Sequence, residues 1–510
     1  MTSVEKLHAD VQALDAANDY QGLQNYILKC GYPVVDIVGV VFKLMENVRL
    51  RGGYLVAKLL HLQGMRNPVV SFALIVGGFE TGNMDDSEEG KRLLRQQFDK
   101  QSAENQIQTY KMIEDLVMPL LSLALTLPDH TKQMLRLLDV MKQVVPTFRT
   151  IFDFTAEAPL CDAASMGALG RARARLIDFR GPPGGASRSR RRVIVAFREL
   201  FFPHIPGSRL FEQGPTMVHA MNAYGWDTSF IGMKFNRKEE EDLRLITDSC
   251  LREQPDILVI DAVIFHFPKC VELVRRLREL LPKLKIVGVY FDAWPLSAER
   301  LKNAAQFQEV MWSPSPDHEA WAHPEFTGKL YFAPLTRGGD YGGPILPLQS
   351  RMSFVGGVAG YNWHRALWIS AMKSEGLPVD SHMSSFMTDG MTPEESYLTY
   401  MRRLADSRCS LNFSMRQNTA YAITARTFEI LAVGTLLVQE RCPEMDCYFI
   451  EGEHYLGFSN FAELRGIARF IQEQPREAER IRRQGNAFFR EHYLDDKLLG
   501  YLEYMLYPQG

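Results

Sequence analysis

Asp256-Ile257-Leu258-Val259-Ile260-Asp261 places four consecutive apolar residues between two acids. A strand covered on both faces reads as such a run, whereas a half-exposed strand alternates apolar and polar residues. The neighbouring pattern agrees. Upstream, Val193 to Phe197 and Thr228 to Ile231 read as strands, and Thr216 to Tyr224 and Glu239 to Gln254 read as helices. Downstream, Cys270 to Leu281 reads as a helix, followed by strands over Lys285 to Tyr290, Phe307 to Trp312 and Lys329 to Ala333. Strands alternating with helices predict a doubly wound parallel sheet.

A second register opens near Arg351. Met352 to Gly357 reads as a strand ending in glycines. Cys409 to Phe413 and Thr435 to Gln439 read as further strands. Helices are expected over His364 to Ser374, Pro393 to Asp406, Ala425 to Val433, Phe461 to Gln474, Glu477 to Glu491 and Asp495 to Leu506. The chain before this α/β region has a different pattern. Val34, Ile37, Val38, Val41, Leu44, Met45 and Val48 recur at spacings of three and four, a helical face. Ile113 to Leu127 is apolar around most of its circumference and reads as a buried helix. Between the two regions, Gly170 to Arg192 holds eight arginines against the single acid Asp178. It reads as a solvated linker, or as a patch for anionic lipid or an acidic partner. The expected fold class is α/β, two tandem Rossmann-like domains preceded by an all-α helical domain. The expected divisions are 1–165 helical, 166–191 linker, 192–347 first Rossmann-like domain and 348–510 second.

Fifty-eight Lys and Arg against 61 Asp and Glu leave a net charge of −3, which speaks against a generic nucleic-acid coat. No apolar run reaches the roughly 18 residues of a membrane span. Seven scattered cysteines suit a reducing cytoplasm better than a disulfide framework. A cytoplasmic location is expected, with peripheral membrane attachment left open.

The stretch richest in chemistry is Ala425-Arg426-Thr427-Phe428-Glu429-Ile430-Leu431-Ala432-Val433-Gly434-Thr435-Leu436-Leu437-Val438. A cation and a carboxylate open a helix that ends at a glycine and feeds a buried strand. Arg426 has the planar fork that suits a diphosphate. Glu429 has the two oxygens that suit ribose hydroxyls. Read plainly, the two could equally be an ion pair decorating an exposed helix face. The motif continues through Tyr448-Phe449-Ile450-Glu451-Gly452-Glu453-His454-Tyr455, Gln474-Pro475, Ile481-Arg482-Arg483-Gln484-Gly485 and Glu491-His492-Tyr493.

In this order the sequence resembles the C-terminal half of GT-B glycosyltransferases, particularly the CgeB-like spore-protein group related to families 1 and 4. The resemblance covers about Arg192 to Tyr493 in layout and is specific from about Ser353. It implies that Glu429 holds the ribose of a nucleotide-diphosphate sugar and Arg426 its diphosphate. It also implies that the phosphates approach the backbone at Gly356 and Gly357, and that the C-terminal helix returns to brace the first half. A second glutamate of the broader group falls where this chain has Tyr421, which leaves the stereochemistry open. The implied reaction moves a sugar to an acceptor hydroxyl, on a protein such as flagellin or on a surface glycan. The helical domain would then bind the acceptor or a protein partner.

In the first half, His204 is the expected base, with Glu199 and Glu212 as rivals. Asp292 ends a strand at the same edge and is the second catalytic candidate, and Asp261 ends another. Either aspartate could instead cap a helix. No metal site is expected: Cys442 and Cys447 lack matching histidines, and there is no D-x-D. No cofactor is expected, because neither G-x-G-x-x-G nor a P-loop occurs. The rival reading is a non-catalytic GT-B-like scaffold for surface or coat assembly. A nucleotide-sugar epimerase is a third.

Overall fold

A computed structural model describes residues 3–46, 49–100, 109, 156–177, 190–201, 209–210, 213–234, 239–261, 268–290, 301–302, 305–306, 308–317, 319–335, 346–349, 351–356, 363–382, 393–416 and 420–508. The chain divides into two compact units. One comprises residues 1–159 with 358–379 and 460–465; the other comprises 160–357, 380–459 and 466–510.

In the first unit, six helices run over Ser3–Ala16 (α1), Tyr20–Lys29 (α2), Val34–Glu46 (α3), Leu50–Leu62 (α4), Pro68–Thr81 (α5) and Met84–Asp99 (α6). The start of α5 is set by Asn67, whose side chain accepts the Val69 N–H, and by Pro68 at the first helical position. Its end is set by Gly82 at φ 74°. Every residue from Val69 to Gly78 is buried, so this helix is the middle of the unit. Polar groups tie its neighbours together: Asp86 of α6 accepts from the Tyr54 hydroxyl, Lys58 Nζ and Asn83 Nδ2. The apolar run at 113–127 lies outside the described residues.

The second unit holds the first α/β half and most of the second. The first half begins at β1 (Arg192–Phe201), which pairs in parallel with β3 (Asp227–Lys234) and β4 (Ile257–Asp261). The sheet continues through β5 (Lys285–Val289), β6 (Val310–Ser313) and β7 (Leu330–Phe332), all parallel. A two-residue strand, β2 (Arg209–Leu210), pairs antiparallel with the end of β1. The second sheet is built on β8 (Met352–Val355), β9 (Val379–His382), β10 (Cys409–Asn412), β13 (Leu436–Glu440) and β14 (Leu456–Phe458), in the order β14-β13-β10-β8-β9, and between β10 and β13 the two-residue strands β11 (Met415–Arg416) and β12 (Ala420–Tyr421) pair antiparallel. Two tandem Rossmann-like halves and an all-helical N-terminal region are therefore the observed fold class. The central strands β4, β10 and β13 are buried at every residue, including the polar Ser410, Asn412, Gln439 and Glu440.

One apolar core runs through both halves, from Val195, Tyr224 and Trp312 to Phe428, Tyr448 and Leu502. The C-terminal helix Asp495–Leu506 returns to the first half. Its buried Glu503 accepts from the Tyr224 hydroxyl at 3.1 Å and pairs with Arg191 at 3.4 Å. Tyr331 closes the same contact by donating to the Leu498 carbonyl at 2.8 Å.

The arginine-rich stretch begins as a helix, α7 (Ala163–Arg173), capped by Asp162. It docks by close backbone approach: a Cβ at Gly170 would stand 2.8 Å from the Glu451 amide nitrogen. Arg173 pairs with Glu451 and Arg171 with Glu453. Beyond the helix, the Arg175 and Ile177 N–H groups donate to the Asp446 and Cys447 carbonyls at 2.7 and 2.9 Å. The Arg175 guanidinium reaches Asp317 of the first half at 2.9 Å. These three arginines are each paired with an acid of the fold.

Gly170→Val should lift α7 from the 451–453 turn. The expected outcome is hydrogen exchange at least about tenfold faster at the Arg175 and Ile177 amides, with the Val259 amide in β4 unchanged. Retained protection at both amides would contradict this docking.

Candidate functional site

The parallel strands of the second half bring β8, β10 and β13 to a common carboxyl edge, where open α/β sheets bind ligands. Gly356 follows β8 at this edge. The helix Ala425–Ala432 carries Arg426 and Glu429 one turn apart. It ends because Gly434 adopts φ 72°, in the left-handed region.

A buried polar cluster sets the helix start. Asn412, the last residue of β10, donates through Nδ2 to Thr424 Oγ1 and to Gln439 Oε1, both at 2.8 Å. Gln439 in turn donates to Ser414 Oγ at 2.6 Å, and the Ser414 N–H donates to Glu440 Oε2 at 2.8 Å. Thr424 occupies the N-cap position, yet makes no side-chain cap bond. Its hydroxyl oxygen instead accepts from Asn412.

Glu429 is buried, with 5% of its surface exposed. It is therefore no surface decoration. Its Oε2 accepts from the Tyr400 hydroxyl at 2.7 Å, and its Oε1 lies 3.5 Å from the Tyr397 hydroxyl. Both tyrosines come from the helix Pro393–Ser407. Arg426 Nε donates to the same Tyr400 oxygen at 3.2 Å. The guanidinium carbon stands 5.4 Å from the centre of the Phe354 ring. It also lies across Gly356, where a Cβ would sit 2.7 Å from it. Any larger residue at 356 would displace the arginine. Burial, with the Glu429 carboxylate beside it, pushes the Tyr400 hydroxyl far above its ordinary range. It therefore remains an O–H group at any working pH.

Glu444 lies in the 3₁₀ turn Pro443–Cys447 after β13. Only 6% of it is exposed. Its Oε2 accepts from the Ile423 N–H at 2.6 Å and from the Ser315 hydroxyl of the first half at 3.5 Å. Tyr448 reinforces this seam by donating to the Pro314 carbonyl at 2.8 Å. Among the described residues no ion pair reaches Glu444. Burial pushes its carboxyl up to about 7, opposed by the Ile423 and Ser315 hydrogen bonds and reinforced by the nearby Asp317.

The sequence candidates fare unevenly. Arg426, Glu429 and Gly356 come together. His204, Asp292, Gly357 and Glu212 lie outside the described residues. Glu199 is in β1, in register with Lys234. Asp261 is buried at the end of β4. Tyr421 is in a two-residue strand that pairs with Met415. Tyr400, Tyr397 and Glu444 carry no sequence signal of their own. The i, i+3 spacing of the tyrosines puts them on one helix face without saying what that face meets. Cys442 and Cys447 are buried, and burial pushes their thiols up to about 12 and about 11. Among the described residues no group of three His, Cys, Asp or Glu could hold a metal ion. Nor is any described helix long and apolar enough to cross a membrane.

Residues 360–501 match the glycosyl transferase-like family model. Arg426 and Glu429 lie within that stretch. No curated protein matches the chain significantly in sequence. Among solved structures, the chain is similar to HepE of Anabaena in complex with UDP-glucose, at TM-score 0.40 and 8% identity over 62% of this chain and 99% of that one. It is also similar to a sucrose-phosphate synthase from Thermosynechococcus elongatus, at TM-score 0.42 and 11% identity over 63% of this chain and 100% of that one. A glycosyltransferase from Rickettsia africae ESF-5 gives TM-score 0.42 and 8% identity over the same shares.

The Glu444 carboxyl yields a pH prediction. Its folded value, about 7, lies above the ordinary 4.5, so the folded state holds the proton more tightly. Stability should fall as pH rises from about 4.5 to about 7, and level off above that. Glu444→Gln keeps the acceptor oxygen and removes the titration. It should be the more stable protein at pH 8, by up to about 3 kcal/mol, with the gain vanishing near pH 4.5. Urea unfolding of both proteins across this range checks it. Parallel stability profiles would refute it.

Proposed function

We propose that the chain is a GT-B glycosyltransferase that moves a sugar from a nucleotide-diphosphate sugar to an acceptor hydroxyl. The observation that carries this reading is the meeting of Arg426, Glu429 and Gly356 at the carboxyl edge of the second sheet. Arg426 and Glu429 lie inside the stretch that matches the glycosyl transferase-like model, and Gly356 stands just before it. In this reading, Glu429 accepts hydrogen bonds from the ribose hydroxyls beside those it takes from the tyrosines. Arg426 offsets the diphosphate charge, and the backbone at Gly356 and Gly357 lets the phosphates approach closely. The UDP and UDP-glucose held by HepE belong to the class of ligand envisaged.

The acceptor oxygen attacks the anomeric carbon, the bond from that carbon to the diphosphate oxygen breaks, and the acceptor proton passes to a base. His204 and Asp292 are the bases proposed, from their place in the sequence of the first half. Charge developing on the leaving diphosphate is offset by Arg426 and by free N–H groups at the start of the 425–432 helix, a device that works without a metal. The CgeB-like group is the proposed subfamily. A protein such as flagellin or a surface glycan is the proposed acceptor, held by the helical region. The working place is the cytoplasm, with membrane association peripheral where it occurs.

The test is thermal stabilisation of the purified chain by UDP, GDP, CDP, ADP and dTDP without added metal. A diphosphate at about 100 times its Kd stabilises by about 2.7 kcal/mol. One or more should do so, and Glu429→Ala and Arg426→Ala should each weaken that binding by about tenfold or more. No stabilisation by any of the five, in folded protein, would turn the reading to a non-catalytic scaffold.

A further inference from the structure

Tyr400 stands between the two residues assigned to the nucleotide, and the geometry dictates which way its proton points. Its oxygen takes a hydrogen bond from Arg426 Nε at 3.2 Å and lies 2.7 Å from Glu429 Oε2. The guanidinium nitrogen can only donate and the carboxylate can only accept. The single phenol proton must therefore lie toward Glu429. The chain Arg426 N–H to Tyr400 O–H to Glu429 runs in one direction, and each link polarises the next. The ring is buried, so water does not compete for the hydroxyl.

The chain also determines what each end shows to a ligand. With Nε turned inward to Tyr400, the two terminal nitrogens of Arg426 are the atoms over the Gly356 face. With Oε2 engaged, Glu429 is held in one rotamer. A half-buried arginine free to rotate would give up side-chain entropy on meeting a phosphate, a loss that the Tyr400 contact has already imposed.

We propose that Tyr400 is a positioning residue that couples recognition of the ribose at Glu429 to recognition of the diphosphate at Arg426. This rests on the reading that these two residues hold a nucleoside diphosphate. An anion on Arg426 draws the guanidinium toward the ligand and changes how strongly Nε polarises the phenol. That alters the hydrogen bond received by Glu429, and by reciprocity a ribose on Glu429 alters the grip on the anion. The two ends of the nucleotide should therefore not contribute independently.

The experiment is a cycle of four compounds, UDP, 2′,3′-dideoxy-UDP, uridine and 2′,3′-dideoxyuridine, titrated calorimetrically. The same set on another base replaces it if that base stabilises the wild type instead. In the wild type, removing the hydroxyls should cost at least about fivefold more affinity in the diphosphate than in the nucleoside. In Tyr400→Phe, UDP affinity should fall by about tenfold, and this excess should vanish. Arg426→Lys keeps a cation but has no Nε–H to give Tyr400, so it should abolish the coupling too. Tyr397→Phe, at the longer 3.5 Å contact, should retain it. A loss caused only by disturbed packing would weaken all four compounds equally and leave the excess intact. Coupling that survives in Tyr400→Phe, or additivity in the wild type, overturns the proposal. If UDP binds, and Glu429→Ala and Arg426→Ala weaken it while the cycle is additive, only this inference fails. If no nucleotide set binds, the nucleotide reading fails with it.

Discussion

A carboxylate taken out of water must be met by donors, and in the α/β unit the source of those donors organises the fold. Five buried glutamates have five different solutions. Glu451 is met by Arg441 and by Arg173, which lies 278 residues earlier in the chain. Glu503 is met by Tyr224 and Arg191 of the first half. Glu440 accepts the Ser414 N–H, Glu444 the Ile423 N–H, and Glu429 the Tyr400 hydroxyl. Each partner comes from another element, so each bond holds one piece of the chain against another.

Magnitudes separate the bonds that decide the structure from those that only accompany it. Arg171 and Arg175 are more than half exposed, and such pairs contribute from about 0 to 1 kcal/mol. Glu451 is almost fully buried, but Arg441 stays bound to it when Arg173 is lost, so the Arg173 pair does not carry the full cost of stripping a buried carboxylate. Docking of α7 therefore depends on the close fit at Gly170, with Arg173 reaching the buried Glu451 and the other arginines at the rim. Arginine composition alone cannot distinguish a basic surface from a set of internal partners. The distinction lies in the acids they meet, and those come from residues 317 and 446–453.

The legibility of the sequence follows the same division. The central strand β4 is visible because burial on both faces leaves an unbroken apolar run, whereas β10 (Cys-Ser-Leu-Asn) and β13 (Leu-Leu-Val-Gln-Glu) are buried as fully with shorter apolar stretches. The short edge strands β9 and β14 have no such run: Val379–His382 reads Val-Asp-Ser-His, and the sequence alone does not mark it as a strand. The α7 helix was hidden by its arginines. Arg426 and Glu429 were legible as a pair, but not their burial, because the tyrosines that enclose Glu429 come from a helix some 30 residues earlier. Helical spacing identifies a face; only the tertiary fold identifies what the face meets. Glu444 was hidden for the same reason, since its second hydrogen-bond partner is a serine 129 residues away.

The helix that carries Arg426 and Glu429 has eight residues, too few to be stable alone in water. It is held from three sides by polar bonds: Glu444 to the Ile423 N–H just before it, Asn412 to its N-cap Thr424, and Tyr400 to the Arg426 and Glu429 side chains. Two of these holds lie within the second half. The third does not end there, because the Glu444 oxygen that accepts from Ile423 also accepts from Ser315 of the first half. The start of the helix and the seam between the halves therefore share one carboxyl oxygen. A shift of the 313–317 edge acts on Ile423 through a single atom, three residues before the guanidinium. A helix stable by itself would absorb such a shift; one held only by tertiary bonds follows it.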